Sequence, residues 1–589
     1  MTLKSIPRPE HPRPDKFRPD WLNLNGEWDF EFDFTVCGME KELFKKPFEN
    51  GAKIIVPFPP ESKLSGVHYT DFIPAMFYRR EIEVPVNWQN KRIILHFGAV
   101  DCECKVFIDG EEIGAHKGGQ TSFEFDITNF VKFGEVQQLT LYVHDDVRAR
   151  LYGGGKQSWN YKPEGCLYER VTGIWQTVWL EAVDFAAIKD FRIGIDFMNG
   201  GFSITPKFYQ VKPSYKLQIT AYANEKEVGK VVGNAVDGQM LYLPLQVRRE
   251  WNPDDPFLYS LNLQVFDDNG KEIDSLQSYA GLREISISED KLYLNGEEIF
   301  LRFSLDQGYY PDGVWTAPSD EALKHDIELG LEAGFNGARL HQKVFEPRYH
   351  YWADKLGYLT WAEFGSWGLN WHDETARNNF FPQWREAMER DINHPSIITW
   401  VPLNESAHSY EFANTNDYPQ YKAWVEEIYN LTKSIDFSRP VNTTSGYLHI
   451  KTDLWTVHSY APDADALAKE MFPEAGGVYS RYAEHEVKYS GQPYLNDEFG
   501  GFLFETPSME KIGHGYFGIR ITDAEEFYKH AAPQVDWMIN NDKISGYCYT
   551  QLYDVEMERN GVYQYDRTPK IASETLKKVF GKKNKSSKW

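Results

Sequence analysis

From about residue 286 onward the chain alternates short apolar runs with helical patterns, and this alternation restricts its fold more than any other feature. Strand candidates fall at 299–305, 335–341, 358–363, 397–405, 441–446, 454–460, 494–500 and 545–550. They are short, rich in β-branched and aromatic residues and bounded by turn formers, the signature of buried strands. Helical segments lie between most of them. One opens at Ser319, where Ser-Asp-Glu-Ala begins like a capped helix. Others surround 383–391, 422–432, 525–540 and 572–579. Eight strands with intervening helices in about 300 residues is the arithmetic of a (β/α)8 TIM barrel. An open doubly wound sheet is the alternative, but no GxGxxG follows the first strand.

The two stretches upstream are all-β. Residues 1–183 hold short alternating runs such as Trp28–Phe32, Arg92–Phe97, Leu139–Val143 and Val178–Leu180, with turns such as Asp109-Gly110 between them. Many short strands without helical patterns predict a β-sandwich of jelly-roll type. Residues 184–285 form a smaller all-β run, with strands at 217–222 and 261–266, of the size of a seven-strand immunoglobulin-like sandwich. This middle unit carries no evident chemistry and reads as a spacer. A glycine- and aromatic-rich excursion, Tyr152 to Gly173, interrupts the first sandwich. Its Gly-Gly-Gly-Lys lacks the GxxxxGK[ST] spacing of a phosphate loop, and no helix pattern follows. It is either a loop at the sandwich edge or a lip over a neighbouring active site.

In a barrel of this kind the C-terminal ends of the strands line the active site. Here those positions are Asp306, Arg339, His341, Glu363, Asn404, Glu405, His458, Tyr460, Asp497 and Glu498. The set is acidic and polar, with no nucleophilic Ser or Cys and no pair of His at metal-ligand spacing. It matches cleavage of a glycosidic bond, which needs one acid to protonate the leaving oxygen and one carboxylate to attack or to direct water. Glu405 ends the fourth strand and Glu498 the seventh. Plainer readings exist for each member. A Glu after a strand is commonly a helix cap or a solvated acid. Arg339 with Glu363 reads equally as a structural ion pair. His341 and His458 read as satisfied core histidines, and Tyr460 as packing. What lifts the set is that eight strands independently deliver polar groups at one end.

Charge and cysteine usage narrow the partners. With 63 basic and 87 acidic residues the net charge is −24, which argues against a nucleic-acid or anionic-membrane partner. Five cysteines, Cys37, Cys102, Cys104, Cys166 and Cys548, show no zinc or redox spacing and read as reduced structural thiols. No apolar run approaches membrane length and the N-terminal residues have no signal-like apolar core, so a soluble, cytoplasmic protein is expected. The lysine-rich stretch from Lys577 to Trp589 is expected to be solvated.

His394-Pro395-Ser396-Ile397, followed by Asn404-Glu405-Ser406, resembles the acid/base signature of glycoside hydrolase family 2, which includes β-galactosidases, β-glucuronidases and β-mannosidases. The resemblance runs along almost the whole chain. It includes Trp21–Trp28, Phe97–Asp101 and Phe123–Thr128 in the first sandwich, then Leu292–Gly296 and the Arg339…His341 stretch. It ends on Asp554-Val555-Glu556, Asn560–Tyr563 and Asp566-Arg567. It implies that Glu405 is the general acid/base and Glu498 the nucleophile of a retaining double displacement, with carboxyl groups roughly 5–5.5 Å apart. Asn404 would bind the sugar's 2-hydroxyl, Tyr460 would sit beside Glu498, and Arg339 and His341 would order the floor. Glu363, His458 and Asp306 complete the expected substrate-binding set. Glu405 would hold its proton in the resting state, helped by the charge on Glu498, and Asp497 would turn away from the sugar.

The resemblance also implies a terminal β-linked sugar as substrate and a dimer or tetramer as assembly. No cofactor is required, although a divalent cation such as magnesium is used by relatives and its ligands here are unassigned. Two departures bear on the sugar. Tyr549-Thr550-Gln551 stands where many relatives carry a Trp, and Glu558-Arg559-Asn560 replaces the Asn-x-Lys that reads a sugar carboxylate in bacterial β-glucuronidases. A β-galactoside is therefore the first expectation, with β-glucuronidase, β-mannosidase, galactofuranosidase or arabinosidase-like activity as alternatives. A non-catalytic carbohydrate-binding relative is the reading from another class, but both carboxylates are retained.

Overall fold

The structure, a computed structural model, describes residues 6–49, 51–406, 417–473, 477–505 and 519–589. The first sandwich packs a six-stranded sheet on a four-stranded one. In the strand Gly26–Phe32 exposure alternates so that Trp28 and Phe30 face inward. They meet Leu139, Leu141 and Val143 of their own sheet and Ile93, Leu95 and Phe97 of the opposing one. The period-2 pattern thus closes a core about 10 Å thick. The immunoglobulin-like unit has a three-stranded and a four-stranded sheet, seven strands in all, packed around Ile204, Leu217, Ile219, Leu261 and Leu263.

Arg18 joins the two sandwiches. It lies buried between them, with Nε and Nη2 on the Asp274 carboxylate at 2.8 and 2.9 Å and Nη1 on Glu181 at 3.1 Å. Nη2 also donates to the Ile188 carbonyl at 2.7 Å.

Barrel strands one to eight begin with Leu301–Asp306, Gly337–Leu340, Leu359–Glu363 and Ile397–Val401. They continue with Thr444–Ser445, Trp455–Ser459, Tyr494–Gly500 and Ile544–Thr550. Seven form one parallel sheet in the order four, three, two, one, eight, seven, six. The fifth is shorter than the expected 441–446. It pairs with Leu403–Asn404, the continuation of strand four beyond Pro402. Proline lacks an N–H and interrupts the ladder there. Toward strand four the polar run Asn442-Thr443-Thr444-Ser445 keeps backbone bonds, such as Asn442 N to the Trp400 carbonyl at 3.0 Å; toward strands six and seven it relies on side chains, Gly446 N donating to Thr456 Oγ1 and Ser445 Oγ to Asp497.

Helices Asp320–Ala333 (capped by Ser319), Tyr418–Ile435, Ala524–Ile539 and Ser573–Phe580 lie close to their expected places. The segment expected at 383–391 is the C-terminal half of Glu374–Asp391, which starts at Asp373 and carries Pro382 inside it. Two further helices, Pro347–Leu356 and Ala464–Met471, are short, ten and eight residues, and were not expected from the sequence. The C-terminal stretch differs from expectation. Its lysines point outward, but Trp589 is buried with Leu294, Leu301 and Cys548, and its carbonyl accepts from Arg302 Nη1 at 3.0 Å. No helix among the described residues is long and apolar enough to cross a membrane.

The glycine-rich excursion lies on the barrel rather than along the sandwich edge. Gly154 N and Gly155 N donate to the Trp367 carbonyl at 2.8 and 3.0 Å. A Cβ on Gly155, whose φ is +59°, would come within 2.0 Å of the Gln342 carbonyl oxygen. Only glycine allows the two backbones to touch here.

Replacing Arg18 by Met strands the buried Asp274 and Glu181 charges, a loss of about 3–5 kcal/mol for a broken buried pair. Thermal unfolding should show an earlier transition for the two sandwiches, and an unchanged profile would show that the joint carries no load.

Candidate active site

Arg339, without solvent exposure, stands at the centre of the strand ends. Nε donates to Glu363 Oε2 at 2.8 Å, and Nη1 to Glu498 Oε1 and to the Asp497 carbonyl, both at 3.0 Å. Nη2 meets Asn404 Oδ1 at 2.6 Å and His341 Nδ1 at 2.9 Å. One guanidinium therefore ties strands two, three and seven to the strand-four extension. The Glu363–Arg339 pair is a structural ion pair and a member of the site at once. Burial pushes the Glu363 carboxyl up, but the Arg339 charge and the nearby His341 outweigh it and leave it at about 2. Burial holds His341 down at about 4, so its imidazole is neutral at pH 7 and accepts from Arg339.

Glu405 follows Asn404 where strand four ends. Its N–H donates to the Ser445 carbonyl at 3.2 Å and its φ is +42°. A non-glycine residue held in that left-handed region costs about 1–3 kcal/mol and is found mainly where function requires it. Glu498 arrives from strand seven. One carboxylate oxygen from each, together with a ring nitrogen of His458, all lie within 4.8 Å of one another. His458 Nδ1 is 2.5 Å from Glu405 Oε1 and 3.4 Å from Glu498 Oε2. Its other nitrogen is 3.1 Å from Ser445 Oγ and 3.4 Å from Asp497 Oδ1. The Tyr460 hydroxyl donates to Glu498 Oε2 at 2.5 Å.

The position of Glu498 depends on a slip in register. Val457 pairs with Asn496 and His458 with Glu498, so Asp497 is an extra residue in strand seven. Its buried carboxylate accepts from Ser445 Oγ at 2.6 Å and Asn442 Nδ2 at 3.2 Å, on the side of strand five.

The charges differ from the sequence expectation in one respect. Burial pushes Glu498 up, but His458 and then Arg339 overcome it and hold the carboxyl well below the usual range. Glu405 is not kept protonated by repulsion from Glu498. Burial and Glu498 raise it, yet the His458 charge and hydrogen bond leave it below its ordinary value. Burial lowers His458, and Glu498, Asp497 and Glu405 together raise it. These shifts favour the charged imidazole beside ionised carboxylates, with the proton lying between His458 Nδ1 and Glu405 Oε1.

Asp306 stands apart. It is fully buried; Oδ1 accepts from Gly308 N at 2.9 Å and from the Tyr553 hydroxyl, and Oδ2 from the Tyr349 hydroxyl at 3.0 Å. Tyr549 likewise faces out of the barrel, among Phe499, Phe502, Phe527 and Phe580. Gln551 instead joins an amide network: Gln307 Nε2 donates to Gln551 Oε1 at 2.6 Å and to Glu558 Oε2 at 3.2 Å. Gln551 Nε2 donates to Asn560 Oδ1 at 2.8 Å.

Gln307 and Gln551 lie one residue beyond strand ends, so the rule that found Glu405 extends to them. Lys156 and Trp367 come from long loops and gave no signal. Trp367 Nε1 donates to the Asn404 carbonyl at 2.9 Å, and Lys156 Nζ lies 4.0 Å from the centre of its ring.

Two groups of described residues could bring three ligand atoms together, Glu405–His458–Glu498 and Asp101–Cys102–Asp145. The first has its imidazole engaged with Glu405, and the second includes a thiol. Neither offers the all-oxygen octahedron that magnesium demands.

Paired carboxylates at the C-terminal rim of a (β/α)8 barrel behind two β-sandwiches are the arrangement that cleavage of a glycosidic bond requires. The chain belongs to the glycosyl hydrolases family 2. Its sugar binding domain matches residues 22–154, its middle domain 186–283 and its TIM barrel domain 285–584. A β-galactosidase of Thermoanaerobacter pseudethanolicus is 26% identical over 84% of this chain and 62% of its own length. A putative β-glucuronidase of Formosa agariphila is 25% identical over 71% of this chain and 52% of its own. The chain thus spans between about half and two thirds of the length of these curated relatives. A solved β-glucuronidase of Ruminococcus gnavus shares the fold, with a TM-score of 0.77, 19% identity and coverage of 96% of this chain and 98% of that one.

Arg339→Met would leave Glu363 and Glu498 buried without their cation. Glu363 is depressed in the folded state, so its contribution to stability is full above its ordinary 4.5 and fades as pH falls toward about 2. The variant should lose about 3–5 kcal/mol near neutrality and unfold at higher pH than the parent on acidification. Coincident acid-unfolding curves followed by circular dichroism would show that Arg339 does not hold these charges.

Proposed function

We propose that this protein is a retaining exo-β-glycosidase in which Glu498 is the nucleophile and Glu405 the general acid/base. The observation that carries this reading is that an oxygen of each carboxylate lies within 4.8 Å of one of the other, close to the spacing of a retaining pair (about 5–5.5 Å) and short of the roughly 6.5–9.5 Å of an inverting one. Glu498, kept ionised by His458 and Arg339, attacks the anomeric carbon. Glu405 delivers a proton to the leaving oxygen, drawing on the one it shares with His458. The glycosyl ester then neutralises Glu498, and Glu405 accepts a proton from the water that hydrolyses it. Asn404, fixed by Arg339, meets the 2-hydroxyl, and Tyr460 orients Glu498 through its hydrogen bond.

For the sugar, a neutral β-hexoside, first a β-galactoside, fits best. Glu558 is buried and its Oε2 accepts from Tyr168 and Gln307, so an acid rather than a cation stands where a uronate reader is expected. A β-glucuronide is the second reading, favoured by the ammonium of Lys156 at the same cavity and by the named activities of several relatives.

Hydrolysis of 4-nitrophenyl β-glycosides followed by proton NMR should release the β-anomer first, and initial release of the α-anomer would sink the retaining assignment. Glu498→Gln and Glu405→Gln should each lower kcat by more than about a thousandfold with an unchanged fold. Near-normal turnover by Glu498→Gln would refute the nucleophile.

His458 titrates above its ordinary 6.5 in the folded protein, so the proton it shares with Glu405 is present below that pH and lost as pH rises through the raised value. The alkaline limb of kcat/KM should therefore lie above pH 6.5 and move downward in His458→Asn, where Glu405 must hold the proton alone. A limb that stays in place would show that the imidazole does not store the catalytic proton.

A further inference from the structure

Lys156 belongs to the first sandwich in sequence and to the barrel cavity in space. It is 6% exposed. Its stem is buried, but Nζ is not among the solvent-sealed nitrogens without a partner, so the ammonium is turned to solvent and free to meet an anion or a hydroxyl arriving from that side. Among the described residues no ion pair or hydrogen bond holds the ammonium; it lies over the face of Trp367, and Cys166 is the first of the groups whose charge acts on it. An indole face supplies about 2 kcal/mol at best. The charge is nonetheless held in place deliberately. Glycines 153–155 lay their backbone on the Gly365–Trp367 stretch, and Gln120 clamps both sides by donating to the carbonyls of Gly153 and Gly365 at 2.8 and 3.1 Å.

The group nearest in role is Glu558. Tyr168 links the two, its N–H donating to the Lys156 carbonyl at 2.7 Å while its hydroxyl donates to Glu558 Oε2. Tyr168 thus ties the Lys156 backbone to the Glu558 carboxylate, and the ammonium and the carboxylate form no direct ion pair. Trp367, whose ring the ammonium faces, donates through Nε1 to the Asn404 carbonyl, which sets Lys156 beside the end of strand four, and Glu558, Glu498 and Glu405 are among the charges that act on it.

We propose that Lys156 is a substrate-binding residue of the barrel site, its ammonium donating to a hydroxyl of a neutral sugar that Glu558 faces from the other side. This rests on the glycosidase reading and assigns its sugar selectivity to a residue carried by the N-terminal sandwich. A hydroxyl can accept from the lysine and donate to the carboxylate at once, whereas a sugar carboxylate would meet Glu558 as a like charge.

The test compares wild type with Lys156→Met on 4-nitrophenyl β-galactoside, its 3-, 4- and 6-deoxy analogues and 4-nitrophenyl β-glucuronide, with thermal midpoints measured alongside. The expected result is a loss of kcat/KM of about ten- to hundredfold on the galactoside, the scale of a hydrogen bond to a charged group. The loss should shrink to within about threefold on the one analogue lacking the contacted hydroxyl, at an unchanged midpoint. Equal losses on every analogue would mark a merely structural lysine. A larger loss on the glucuronide than on the galactoside would assign Lys156 to a carboxylate. Either result overturns the proposal. If the wild type cleaves none of these substrates, the glycosidase reading has failed, and calorimetric titration of both proteins with galactose decides the lysine. Weaker binding by Lys156→Met supports it, and no difference overturns it.

Discussion

The five donors of Arg339 are the constraint on which the rest of the site depends. A guanidinium sealed from solvent must satisfy every N–H it carries, and those five obligations fall on the ends of four strands. Glu363, Asn404, His341 and Glu498 are thereby fixed relative to one another more firmly than the short parallel ladders alone would fix them. Lysine in that place would offer the charge without the planar fork, and the strand ends would lose their common reference.

Around that reference the protein keeps two carboxylates ionised at close range without either collapsing into a simple ion pair. Arg339 takes one oxygen of Glu498 and Tyr460 the other. His458 spans the gap to Glu405, and Asp497, displaced to strand five by the extra residue in strand seven, supports the imidazole from below. The left-handed backbone of Glu405 belongs to the same arrangement. It stands where strand four ends, with the side chain bonded to His458.

Much of this was legible in the sequence. The eight strands, the seven-strand spacer and the polar residues at strand ends follow from periodicity and from the rule that barrel chemistry sits at one rim. What escaped has physical reasons. Strand five is side-chain bonded toward strands six and seven, so its polar run looked longer than its ladder. Asp306 obeyed the rim rule but lies deep enough for Gly308 and two tyrosines to take both of its oxygens. The state of Glu405 turned on a histidine fifty-three residues away in the chain, whose distance no pattern encodes. The final tryptophan hid among lysines that gave the stretch a solvated look.

The contact between Gly153–Gly155 and the loop at Trp367 has a consequence for how such a molecule can diversify. This side of the site is assembled from two folding units, so it can change by altering a loop of the sandwich that holds neither carboxylate. On the reading proposed above, proton transfer and nucleophilic attack stay inside the barrel while a neighbour helps to choose what enters. Excising the barrel as an autonomous enzyme would thus remove part of the pocket's selectivity along with what looks like scaffolding.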